Sequence, residues 1–265
     1  PPQVVIDDVK TLQPGDADYE TMGRRIRGHF QAPLFTVVGK PDVDGRPDGP
    51  NDFPDDQAGA RLFRDANGRA GRNGTTRVNF LLVIPRSVFD DPGKRPARLL
   101  QYGHGFFGGA GEIYGYASRF ANEKGFVLMA TDWTGMATAD AAAVFAHIAT
   151  DIPEVLSFAE RTVQGLVNFI ALSEAAKTTL ADAAALQVDG TPVFDRTKPP
   201  YYYGISQGHI LGTTFVALSP HVEKAAFSVG GASFGLMMSR ASPFEQFLSP
   251  IDEVLSRAPR GPYPT

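Results

Sequence analysis

The sequence predicts an α/β fold in which a mostly parallel sheet carries helices on both faces and is preceded by a β-rich segment. Three observations carry this expectation. From Arg98 onward, strand-like and helix-like runs alternate, the pattern that gives right-handed βαβ units and a parallel sheet covered on both sides. Residues 204–208, Gly-Ile-Ser-Gln-Gly, fall directly between an apolar strand and a helix. Before Pro96 the chain is rich in Gly, Pro and Asp, with short β-type runs.

In chain order, "PLFTVVG" (Pro33 to Gly39) and "TRVNFLLVIP" (Thr76 to Pro85) read as strands. The second alternates apolar and polar residues and then turns continuously apolar, as a strand does when it passes from edge to core. Between them, Gly39 to Gly59 is dominated by acidic residues and turn formers, which predicts a long surface loop. The division expected is a β-rich N-terminal segment with an acidic loop over 1–96 and an α/β core over 97–265. In the core, "ARLLQYG" and "FVLMATDW" are strands flanking a helix over "EIYGYASRFANEKG" that ends at Gly125. The strongest helix is Asp151 to Leu180. Its Ile152, Val155, Leu156, Ala159, Val163, Leu166, Val167 and Ile170 recur at helical spacing, and Asp151 with Glu154 resembles a capping box. Strand "YYYGI", helix "QGHILGTTFVAL" stopped by Pro220, and strand "KAAFSVGG" complete the pattern. The remaining tail reads as helix or loop.

With 265 residues, 43% of them hydrophobic, the chain is long enough to bury a sizeable core. A net charge of -4 leaves no basic footprint, which excludes nucleic acid as a partner. Zero cysteines exclude disulfides, thiolate metal sites and a cysteine nucleophile without fixing the compartment. No apolar stretch is long enough to span a membrane, and "PPQVVIDDVK" has neither the basic nor the apolar region of a signal peptide. Starting without Met, the chain is expected to be a processed or excised form of something longer.

Gly204-x-Ser206-x-Gly208 matches the G-x-S-x-G string in the strand-to-helix setting that its mechanics require. On such a turn the serine backbone is strained, and its flanking positions must lack bulk so that strand and helix can pass closely. The turn exposes the serine oxygen at the carboxyl end of a parallel sheet, and the Gln207 amide at the helix start faces a developing oxyanion. The plain alternative is a serine in an ordinary loop. Upstream, "QYGHGFFGGAG" (Gln101 to Gly111) follows a strand and resembles the His-Gly oxyanion loops of lipases and esterases. There the amide of Phe106 or Phe107 would approach a substrate carbonyl oxygen, with His104 and Gly105 supporting the loop. A rival reading uses the same residues. Gly103-x-Gly105-x-x-Gly108 fits a dinucleotide fingerprint, with Asp132 at the end of the next strand to bind a ribose hydroxyl.

Taken in order, "LLQYGHGFFGG", "VLMATDWTGM" and "YYYGISQGHILG" resemble the α/β-hydrolase superfamily, and more narrowly the large bacterial secreted or surface lipase- and esterase-like proteins. The resemblance covers roughly Arg98 to Gly231. It implies that Ser206 is the nucleophile, that Gln207 and Phe106 donate to the oxyanion, and that a small-molecule or lipid carboxylic ester is hydrolysed through an acyl-enzyme without a cofactor. It also implies a secreted or cell-surface location. Where that family has a glycine after G-x-S-x-G, this chain has His209, which is expected to approach the site. A serine nucleophile needs a base and an orienting acid, which in this superfamily follow the serine. After Ser206 come only His209, His221, Glu223, Glu245, Asp252 and Glu253, with neither histidine where a triad histidine belongs. The expectation is that the last strands, the acid and the histidine lie beyond Thr265 or on a separate chain, and that this chain alone is inactive. The alternative is a hydrolase fold that has lost catalysis and serves as a binding module.

Other features have two readings each. Asp42-x-Asp44-Gly45-x-x-Asp48 and Asp65-x-Asn67-Gly68 echo calcium loops but lack a full ligand set, so plain turns and no metal are expected. Asp132 and Trp133 could line an acyl pocket, or Trp133 could pack beneath a loop. Phe106, Phe107, Tyr114 and Tyr116 could form an apolar substrate wall or belong to the core. Tyr201 to Tyr203 are read as structural strand residues.

Overall fold

The computed structural model describes residues 1–37, 60–150 and 156–231, together with Met237, Arg240, Ser242 and Glu245. Seven strands form its central sheet: β1 (Val4–Thr11), β2 (Met22–Pro33), β3 (Thr75–Pro85), β4 (Arg98–Gly103), β5 (Phe126–Thr131), β6 (Tyr201–Ile205) and β7 (Lys224–Ser228). Their spatial order is β1-β2-β3-β5-β4-β6-β7. The four strands from Arg98 onward run parallel, and β1, β2 and β3 join the same sheet antiparallel, β3 pairing with β5. The parallel strands therefore end at one edge, where Gly103, Thr131 and Ile205 open into loops, the place where open α/β sheets bind ligands.

Four helices matter for the site: α1 (Tyr116–Lys124), α2 (Thr138–Thr150), α3 (Leu156–Lys177) and α4 (Gln207–Leu218). On one face of the sheet, Ile26, Phe80, Leu82 and Met129 pack under Leu172, Ala175 and Ala176 of α3. Trp133, Phe169, Tyr202 and Phe215 continue that layer between α3 and α4. On the opposite face, Leu100, Leu128 and Ala130 meet Ile113, Ala117 and Ala121. Each fully buried side chain of this size contributes about 1.5–3 kcal/mol.

The strands and helices around Ser206 match the sequence reading, and the differences lie elsewhere. "PLFTVVG" pairs only at Thr36–Val37, with Arg61–Leu62, and its last residues, like the acidic loop and the Asp42 to Asp48 echo, lie outside the described residues. The helix expected over Glu112 to Gly125 is two pieces. A 3-10 turn over Ala110–Tyr114 precedes α1, and Gly115, at φ -95° and ψ -117°, breaks the continuity between them. Helix α2 was not anticipated. Of the helix expected over Asp151 to Leu180, Asp151, Ile152, Glu154 and Val155 fall outside the described residues, and the buried stripe in the first half of α3 is polar: Ser157, Arg161, Gln164 and Asn168. The expected apolar face, Val163, Leu166, Val167 and Ile170, is only partly buried, and Ala159 is exposed.

The polar stripe is buried because its hydrogen bonds are met, which removes most of the cost. Gln164 accepts the Phe35 N–H (2.8 Å), donates to the Pro33 carbonyl (2.9 Å) and to Asn168 Oδ1 (2.7 Å), and Asn168 donates to Thr134 Oγ1 (3.0 Å). No helix among the described residues is long and apolar enough to cross a membrane.

Candidate active site

Ser206 is the one residue between β6 and α4, and its backbone sits at φ 52°, ψ -112°. That region is essentially glycine territory, so a serine there stores strain of about 1–3 kcal/mol. Three backbone bonds hold it. The Ser206 N–H donates to the Ser228 carbonyl (2.9 Å), and the Ser206 carbonyl accepts from His209 (2.9 Å) and Ile210 (3.2 Å). The flanking glycines allow the turn to close. A Cβ on Gly204 would lie 2.1 Å from the Gly208 carbonyl oxygen, and one on Gly208 would lie 2.1 Å from the Gly103 carbonyl oxygen. Tyr202, fully buried, donates its hydroxyl to the Gly208 carbonyl (2.5 Å) and so pins the helix start to the strand. The Gln207 amide is the first of α4 and has no acceptor among the described residues, as first-turn amides require. Its side chain is buried, with Oε1 unpartnered among the described residues.

The His-Gly loop lies against this turn: a Cβ built on Gly105 would be 4.0 Å from Ser206 Cβ. His104 is fully buried. Its Nε2 accepts the Trp133 N–H (2.7 Å), so Nδ1 carries the proton and donates it to the Gly105 carbonyl (2.8 Å). With both nitrogens committed, the imidazole supports the loop and transfers no proton. Because the Gly105–Phe106 peptide is planar and trans, holding the Gly105 carbonyl toward His104 turns the Phe106 N–H the opposite way. Phe107 corrects the expectation that either phenylalanine could serve. Its N–H donates to the Met136 carbonyl (3.0 Å), and its backbone takes φ 48° to do so.

Burial drives the His104 pKa below its usual value. A buried neutral histidine stabilises the fold fully above its unfolded pKa, about 6.5, and that contribution is lost as pH falls below it. His221, also lowered by burial, acts in the same direction. Urea midpoints measured from pH 8 to 5 should therefore fall on acidification, with a shallower fall in His104→Gln. Equal slopes would contradict the role assigned to His104.

Glu112 went unrecognised in the sequence. Its carboxylate accepts the Gly105 N–H (3.2 Å) and the Tyr102 hydroxyl (2.9 Å) and fills the space beside Gly108, where an added Cβ would be 2.0 Å from Oε1. This argues against the dinucleotide reading, because the Gly105 amide and the space beside Gly108 are already taken by a carboxylate, which would repel a pyrophosphate. Asp132, the expected ribose ligand, instead accepts the Ala110 N–H (2.7 Å) and braces the loop. Its exposed side lines a cavity of about 180 Å³ with Thr76, Thr131, Thr134 and Asn168.

Trp133 takes the second of its two expected places. It is fully buried beneath the loop and stacked on Phe169 at 3.5 Å between ring centroids. His209 turns away toward β7, where Nδ1 accepts the Gly230 N–H (3.0 Å) and the ring stacks on Phe227. The other histidines contact Asp7 (His29), Ser157 (His147) and Glu174 (His221). Around the loop, the Phe106 and Phe107 rings touch (4.3 Å between centroids) and Phe107 meets Phe145 of α2 at 5.7 Å. Tyr116 is exposed, and Tyr114 packs under Arg25 on the antiparallel side. Asp65 Oδ1 accepts the Asn67 (2.8 Å) and Arg69 (2.9 Å) amides, the hydrogen bonding of a plain Asx turn.

A mostly parallel sheet with helices on both faces, a positive-φ serine between strand and helix, and a His-Gly loop packed against that serine define an α/β-hydrolase fold. Solved structures to which the chain is similar include three hydrolases. They are a cold-adapted esterase from an Arctic intertidal metagenomic library (14% identity, 77% of this chain and 61% of that one, TM-score 0.39), acetyl xylan esterase 1 from Thermoanaerobacterium sp. (12%, 98% and 64%, 0.46), and an S-formylglutathione hydrolase from Agrobacterium tumefaciens (12%, 85% and 61%, 0.39). The chain thus spans less than two thirds of each of those proteins. No protein-family model and no curated protein matches the sequence.

Proposed function

We propose that this chain carries the nucleophile and oxyanion hole of a serine hydrolase that cleaves carboxylic esters through an acyl-enzyme. The observation that carries the reading is the strained Ser206 backbone at the carboxyl edge of the sheet, directly beside the His104–Gly105 loop. In this reading Ser206 Oγ attacks the ester carbonyl, and the oxyanion of the tetrahedral intermediate accepts from the amides of Gln207 and Phe106. The intermediate collapses with loss of the alcohol, and water then hydrolyses the acyl-serine. Losing one such donor typically raises the barrier by about 3–4 kcal/mol. Among the described residues the five imidazoles pair with Asp7, the Trp133 amide, Ser157, the Gly230 amide and Glu174, and none with the Ser206 hydroxyl, so we assign the general base, and the acid that orients it, to residues outside these 265.

A fluorophosphonate probe tests this on the full-length protein. Labelling should map to Ser206 and vanish in Ser206→Ala. Absence of labelling, or labelling indifferent to that substitution, would leave a hydrolase fold without the chemistry, a binding module.

A further inference from the structure

We propose that Asp140 and Arg161 are positioning residues that hold the oxyanion loop in its working shape; this rests on the nucleophile assignment above. Both are buried, 4% and 5% exposed, and they form an ion pair through Asp140 Oδ1. The other carboxylate oxygen accepts the Gly135 (2.9 Å) and Ala137 (3.0 Å) amides, so the turn after β5 is wrapped around one carboxylate. The turn is also seated on α3. Gly135 takes φ 92°, and a Cβ there would be 2.6 Å from the Phe158 carbonyl oxygen, while Gly165 makes room for the Thr134 carbonyl.

From this turn the bonds pass to the loop. Met136 offers its carbonyl to the Phe107 N–H (3.0 Å), the Thr138 N–H donates to the Gly108 carbonyl (2.8 Å), and the Thr138 hydroxyl lies 2.9 Å from the carbonyls of Phe107 and Gly108. Phe107 is thereby held at φ 48°, a conformation that its surroundings must impose. The residue on its other side is Phe106, whose peptide is held from behind by His104. The chain of contacts therefore runs from α3 through Asp140 and the turn to both flanks of the oxyanion donor.

The charge pair by itself adds little to stability. Two charges withdrawn from water pay a desolvation penalty, and well-packed apolar residues of similar volume are often as stable or more so. What an apolar replacement loses is the carboxylate that fixes two amides of the turn in one geometry.

The pair is tested on the full-length protein by the kinetics of fluorophosphonate inactivation, separated into KI and kinact. Asp140→Asn should lower kinact by about 10- to 100-fold, the scale of a small misplacement of a reacting group, with KI unchanged within about twofold, since ground-state binding does not need the hole. The double variant Asp140→Leu/Arg161→Met, which leaves the Gly135 and Ala137 amides without their acceptor, should unfold at a lower midpoint and, at a temperature where circular dichroism shows it folded, lose kinact similarly with KI unchanged, a split that a purely structural pair would not produce. A wild-type kinact in Asp140→Asn, or in a folded double variant, overturns the positioning role alone. Failure of the wild type to label at Ser206 overturns the nucleophile assignment, and this role with it.

Discussion

Gly208→Ala is expected to cost about 3 kcal/mol or more of stability and to slow labelling of Ser206 by about 100-fold or more. The added Cβ would sit 2.1 Å from the carbonyl oxygen, 2.5 Å from the carbonyl carbon and 3.0 Å from the Cα of Gly103. These are backbone atoms at the end of β4, so no rotamer change relieves the clash. Helix and strand must separate, and Gly103 is the root of the loop that carries His104 to Gly109. One methyl group thus disturbs both walls of the proposed oxyanion hole. Gly111→Ala is the matched control, since a Cβ there meets nothing within 4 Å. Urea unfolding and time-resolved probe labelling of the two variants should differ sharply; equal values would mean that the close approach is not needed.

The second large effect is expected from Phe215→Ala, at about 3–5 kcal/mol. Phe215 is fully buried on α4, with its ring against Tyr202 (5.2 Å), Phe169 (5.5 Å) and Trp133 (6.4 Å). It is the side chain through which the helix behind Ser206 joins the aromatic layer, and truncation leaves a cavity that three rigid rings cannot collapse into. Leu218, one turn on and 61% exposed, should change stability by no more than about 0.5 kcal/mol when replaced by alanine. A denaturant midpoint for Phe215→Ala close to that of Leu218→Ala would refute the argument.

The site's framework was legible because its signals are local. A strand, a serine between glycines and a helix lie in twelve consecutive residues, and the packing of Gly204 and Gly208 follows from their positions alone. The antiparallel side of the sheet was partly hidden: β2 turns Ile26 and Phe30 into the core, yet Arg24 and Gly28 stand at the same alternate positions where apolar side chains would announce a strand. Helix α3 misled for the opposite reason. Its apolar periodicity marks a half-exposed side, because the tertiary structure supplies partners for a polar stripe that composition alone would place in water. Which phenylalanine offers its amide depends on the Met136 carbonyl, a backbone atom 29 residues away in the chain that no side-chain pattern announces. Asp140 and Arg161 meet across 21 residues and two helices, beyond the reach of any motif.

The backbone at Ser206 sets durability against chemistry at one position. Its φ and ψ cost a serine about 1–3 kcal/mol, whereas a glycine would occupy them freely. A library of this protein screened only for survival on heating would therefore be drawn toward glycine at 206, enriching the sturdiest folds while discarding the hydroxyl on which the proposed reaction depends. Selections for heat resistance need an activity gate at this residue.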